Sequence, residues 1–119
     1  MGELEDIKQK LREFAVERDW DQFHSPKNLV MALSGETGEL NDVFQWLSEE
    51  ESRSSKLSMT NREKAKEEIA DIFLYLIRLA DKLDIDLAEA GHQKLKTNAE
   101  KYPVNLAKGN ATKYNRRDE

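Results

Sequence analysis

The sequence contains no cysteine. That excludes a disulfide framework and any thiolate-held zinc, and it fits a cytoplasmic chain. Only two prolines and five glycines occur in 119 residues, so few tight turns can be punctuated. No stretch alternates apolar and polar residues over strand length, which leaves an all-helical reading. The longest apolar run, Ile72 to Ile77, is far short of the roughly 20 residues that span a bilayer. The opening MGELEDIKQK is charged from its third residue and has no apolar core of a signal peptide. Basic side chains are outnumbered, 19 to 24, and the net charge is −5. No broad basic footprint invites a nucleic-acid polymer. A small anionic substrate remains open, provided that a cation mediates.

What is present is a set of amphipathic helices in one domain, residues 1–119, whose last part, about 103–119, is a polar tail. Leu4, Ile7, Leu11, Phe14 and Ala15 give the first stripe, over residues 3–18. RDWDQFHSPKN follows as a connector. Ser25 and Pro26 are a capping hydroxyl and a first-turn proline, and they predict a helix from Pro26 to about Leu47. The Ser-rich 48–58 segment reads as an exposed loop. Thr60-x-x-Glu63 reads as a capping box for a third helix, Asn61 to about Leu83. Asp86-x-x-Glu89 opens a fourth, Leu87 to about Lys101, and Pro103 stops it. The expected protomer is a four-helix, bundle-like fold.

Two of these helices carry acids where leucine belongs. Glu36 falls in the stripe of Leu29, Leu33, Leu40 and Leu47, with Glu39 three residues on. Glu68 and Asp71 repeat that step in the third helix, where Asp71 and Arg78 are the only charges from Ile69 to Ala80. Acids three apart share a helix face at about 5–6 Å. Two such faces packed together gather four carboxylates, whose mutual repulsion calls for protons, cationic partners or divalent metal. Arg78, two turns beyond Asp71, is one cation for four acids. Hard oxygen donors without cysteine or histidine select magnesium, with manganese as the alternative. The pattern leaves a second reading open: a non-enzymatic helical interaction module whose acids are solvated or paired with a partner. A di-iron bundle wants two Glu-x-x-His motifs, and the chain has one, Glu89 to His92.

The acid signature, ETGE at 36–39 and EIAD at 68–71, resembles that of the MazG-like nucleoside triphosphate pyrophosphohydrolases, an all-α family. ERDWDQFHSPKNLVMALSGETGELNDVFQW, EEIADIFLYLI and KLKTNAEKYPVNLAKGNATKY look like its dCTP pyrophosphatase branch, from about Glu17 to Tyr114. The resemblance implies magnesium-dependent hydrolysis of dCTP or modified dCTP to the monophosphate and pyrophosphate, in the service of nucleotide-pool cleaning. It places the metal ligands on Glu36, Glu39, Glu68 and Asp71, and it implies a homotetramer built as a dimer of dimers. Animal members of the branch carry a pocket histidine in the first helix, where this chain has Leu11, so base preference departs there.

With that resemblance, Trp20, Trp46 and Tyr75 become candidates for an aromatic wall against the base. His24 is a candidate for a hydrogen bond to base or sugar. Lys94 and Asn98 share a face of the fourth helix and suit a phosphate and a pyrimidine edge, with Tyr102 one turn further on. Lys113, Arg116 and Arg117 are either a closing cationic tail or a solubilising end. The implied mechanism is metal-assisted attack of water on phosphorus, with Glu36 or Glu39 as the catalytic carboxylate that orients or deprotonates the water. No serine motif with a paired base supports a covalent route.

Overall fold

A computed structural model describes residues 2–117. Among them there is no strand. Helix α1 runs Glu3–Glu17, α2 Pro26–Phe44, α3 Met59–Lys82, α4 Leu87–Lys101 and the short α5 Val104–Ala107. Single 3-10 turns sit at Asp21–Phe23 and Tyr114–Arg116. The all-α expectation and its four main helices are borne out. No helix among the described residues is long and apolar enough to cross a membrane.

The chain divides into two compact units, residues 1–85 and 86–119. In the first, α2 packs along α3, and α1 packs on α3. Leu29 and Ile77 are buried there with Ala15, Ala65 and Ala80. Three of those five core residues are alanines, whose small side chains let helix backbones approach closely.

Local chemistry accounts for the ends. Ser25 accepts from the Asn28 amide at 3.2 Å ahead of Pro26, as expected. Helix α2 stops at Phe44, short of Leu47, because the Leu47 amide turns back to the Phe44 carbonyl at 2.9 Å. Helix α3 begins at Met59, two residues before the expected Asn61. Ser58, not Thr60, is the cap, accepting from the Asn61 amide at 3.1 Å. Arg62 ties this first turn to the preceding loop through the Ser54 carbonyl, 2.5 Å away.

Helices α1 and α3 end in the same way. Asp19 (φ 55°) and Asp84 (φ 54°) occupy the left-handed conformation that glycine usually takes. The Trp20 amide reaches the Ala15 carbonyl at 2.8 Å and the Asp19 amide the Val16 carbonyl at 3.1 Å, the two bonds of a Schellman motif. Ile85 to Ala80 and Asp84 to Asp81 repeat the pattern at 2.9 and 3.2 Å. At the end of α1 this reversal brings Trp20 edge-on to Phe14, with ring centroids 5.8 Å apart.

In the second unit Asp86 caps α4 by accepting from the Glu89 amide at 2.9 Å. Residues of the polar tail up to Arg117 pack against the end of α4. The Tyr114 ring meets Tyr102 edge-on at 6.0 Å, and Lys101 lies 4.9 Å over Tyr114. Arg117 stands 5.5 Å over the Tyr102 ring and donates to the Lys101 carbonyl. Tyrosine rings and cations thus fold residues that look merely solvated in sequence.

Candidate active site

The seam between α2 and α3 brings the two acid motifs together. Glu36, Glu39 and Glu68 each place a carboxylate oxygen within 4.8 Å of the others. Glu39 is exposed; Glu36 and Glu68 are half-buried, and each holds its Oε2 out of solvent without a hydrogen-bond partner. Unpaired buried carboxylate oxygens are costly, so the arrangement calls for a proton or a cation.

Glu68 registers this cost. Its carboxyl is pushed up to about 7, first by its contact with Glu36, then by burial, then by Glu39. Crowding by the two neighbouring carboxylates, together with burial, favours the protonated form, so Glu68 gives up its proton later than an ordinary glutamate. A divalent cation with oxygen preference satisfies the same oxygens in place of the proton. The donor set, three carboxylates with two orphaned buried oxygens, fits such an ion.

Asp71 does not join that trio. It is exposed on α3 one turn beyond Glu68 and lines a neighbouring cleft of about 320 Å³ together with Glu36. The expected foursome is thus a cluster of three with the fourth acid on the adjoining wall. Leu11 and Phe14 from α1, Trp20 and His24 from the connector, and Leu74, Tyr75 and Arg78 from α3 complete the cleft. Carboxylates at one wall, once bridged by a divalent cation, and aromatic rings at another suit a molecule that carries both anionic and planar groups.

The sequence candidates fall into three sets. Trp20, His24 and Tyr75 meet at the cleft, and Leu11 lines it as the departure from the animal pattern suggests. Trp46 does not line it; it stands 87% exposed beyond the end of α2. Lys94 and Asn98 lie on α4, and Tyr102 caps its end, within the second unit. Tyr102 there supports Tyr114 and Arg117.

Phe14, Leu74 and Arg78 are the cleft residues that sequence reasoning did not place at the site. Arg78 is only 5% exposed and bonds Asp21 at 2.5 Å and the Nδ1 atom of His24 at 3.1 Å. Its signal was partly present: a lone cation in an apolar run has to find partners, and Asp21 and His24 are among the polar residues of the connector.

The chain is similar to known proteins over most of its length. The MazG-like family matches residues 31–116. The dCTP pyrophosphatase 1 of Bos taurus is 48% identical over 111 residues, covering 93% of this chain and 66% of that protein. Those of Mus musculus and Homo sapiens are 46% and 43% identical, each 65% covered. The chain thus spans just under two thirds of the length of these relatives. The crystal structure of a pyrophosphatase from Archaeoglobus fulgidus superposes with a TM-score of 0.79 at 36% identity, over 87% of this chain and 94% of that one.

Proposed function

Because this chain belongs to the MazG-like family, we propose that it is a magnesium-dependent nucleoside triphosphate pyrophosphohydrolase. It acts on dCTP or modified dCTP and releases the monophosphate and pyrophosphate, in cytoplasmic nucleotide-pool cleaning. The observation that carries this reading is the trio Glu36, Glu39 and Glu68, with orphaned oxygens, beside an aromatic cleft. The identity to curated dCTP pyrophosphatases supports the choice of base.

Glu36, Glu39, Glu68 and Asp71 would hold magnesium or manganese, and the ion would supply charge neutralisation for a triphosphate and a lowered pKa for a bound water. Glu36 or Glu39 accepts the proton of the attacking water and holds it in line with the phosphorus. Trp20 and Tyr75 give the base a stacking surface, worth about 1–3 kcal/mol per base. Leu11 gives the cleft an apolar contact where the animal members of the branch carry a histidine, so base preference departs there. Trp46, Lys94, Asn98 and Tyr102 keep their proposed substrate roles on chemistry and resemblance: an indole stacks, an ammonium meets a phosphate, and an amide or phenol meets a base edge.

The active form we propose is a homo-oligomer, a dimer of dimers. Ile69, Phe73 and Leu76, one face of α3, are 55%, 38% and 38% exposed, and such a face gains by meeting a second copy. The match of one family to residues 31–116 supports treating both units as one functional domain. A pyrophosphate-release panel of standard and modified nucleoside triphosphates, with and without magnesium, tests chemistry, metal and base together. Release confined to cytosine nucleotides with metal supports the reading. No release from any of them refutes it.

A further inference from the structure

Arg78 is the one charged side chain that is fully buried among the described residues. Acids hold it from two sides. Its Nη2 meets Asp21 at 2.5 Å, and its Nη1 lies 3.5 Å from Asp81. Each acid is itself fixed by a further cation: Lys82 reaches Asp21 at 2.6 Å, and Arg12 grips Asp81 at 2.7 and 2.5 Å. The third guanidinium nitrogen, Nε, donates its N–H to the Nδ1 atom of His24 at 3.1 Å.

That last bond fixes a protonation state. A guanidinium offers only N–H donors and does not lose its proton in proteins. The nitrogen facing it has to be the accepting one. His24 therefore carries its single ring proton on Nε2. A second proton, on Nδ1, would set two donors against each other. The surroundings act in the same direction: burial first, then Arg78 and Lys82, hold the imidazole below its usual pKa, and only Asp21 opposes them. Arg78 and His24 both line the cleft that Trp20 and Tyr75 share. With Nδ1 taken, Nε2–H is the group His24 can offer there.

We propose that Arg78 is a positioning residue that locks His24 in the neutral Nε2–H tautomer, so that the cleft presents a fixed hydrogen-bond donor to an acceptor atom of the bound nucleoside. The nucleoside half of this proposal rests on the function proposed above; the tautomer half does not. The function needs an acid cluster and a stacking surface. The lock adds directional recognition, because a free imidazole would divide its population between a donor and an acceptor at the same place.

The test begins without substrate. The protein has two histidines, so ring-15N-labelled protein gives two sets of signals, and His92→Gln assigns them. His24 is expected to show a protonated Nε2 and an unprotonated Nδ1 across the neutral range. In Arg78→Met the two tautomers mix. That variant leaves Asp21 with Lys82 and Asp81 with Arg12, so both acids keep a cation. With dCTP, Arg78→Met raises KM about tenfold, the scale of one hydrogen bond, and lowers kcat less. His24→Ala does the same. His24→Gln, which keeps an N–H near the Nε2 position, recovers most of the loss. The double variant His24→Ala with Arg78→Met is no worse than His24→Ala alone.

A wild-type His24 protonated on Nδ1, or on both nitrogens at neutral pH, overturns the lock outright and requires no variant. Additive penalties in the double variant, or altered kinetics in Arg78→Met with the tautomer unchanged, overturn the positioning role. A locked tautomer in a protein that turns over no nucleotide overturns the enzymatic reading and leaves the Arg78 lock standing.

Discussion

Glu36 on α2 and Glu68 on α3 face each other across the helix seam, and each keeps an Oε2 buried without a partner. This pairing is unfavourable as it stands. Helix packing supplies the stability that holds it, and the local cost marks the place where the molecule is prepared for something else.

The first consequence is a pH dependence. Glu68 is raised from 4.5 to about 7 in the folded chain, so between those values the native state binds the extra proton. Stability in metal-free buffer is therefore full below the unfolded value near 4.5 and falls as pH rises towards 7. Magnesium competes with that proton, so its stabilising effect grows across the same window. Thermal unfolding at pH 5 and pH 8, with and without magnesium, checks both signs. A Tm increment from magnesium that is larger at pH 5 contradicts this assignment.

Glu68→Gln should remove the unfavourable charge and keep the shape. We expect a higher Tm than wild type in chelator at pH 8, no further rise on adding magnesium, and no turnover. A metal-induced shift of wild-type size in this variant would place the ion elsewhere.

Asp84 pays for its left-handed backbone with a side chain that glycine lacks. Asp84→Gly should stabilise the first unit by up to about 1 kcal/mol, because the conformation is fixed by the Schellman bonds in either case. Denaturant midpoints read this directly. A lower midpoint would mean that the Asp84 carboxylate makes a contribution larger than its strain.

Leu29→Ala, at a position only 2% exposed, should cost about 2–5 kcal/mol. Exposed Trp46→Ala should cost little stability. Trp20→Ala should spare the fold and raise the KM for dCTP about tenfold, through the lost stacking surface. A Trp20→Ala enzyme with unchanged KM would remove Trp20 from the base site.

Much of this architecture was legible before the fold. Apolar periodicity together with capping and proline signals marked all four main helices, and Ser25 and Asp86 announced their starts as capping chemistry dictates. The acid pairs were legible because charge inside an apolar stripe has few explanations. What escaped is what chemistry allows in more than one way. Ser58 and Thr60 are equally good caps in isolation, and the Arg62 bond to Ser54 accompanies the earlier start. Asp19 and Asp84 ended helices unannounced because glycine is the usual sign of that turn. Two partners of Arg78, His24 and Asp21, lie 54 and 57 positions away in sequence, so a local pattern does not single them out. The displacement of Asp71 from the carboxylate trio likewise depends on how α2 and α3 pack.

The most direct measurement is pyrophosphate release from dCTP by wild type, Glu39→Gln and Asp71→Asn, with magnesium and with chelator, while circular dichroism follows helicity. The account predicts release by wild type only with the metal, and none by either variant at unchanged helicity. Metal-independent release, or wild-type rates in either variant, would contradict it.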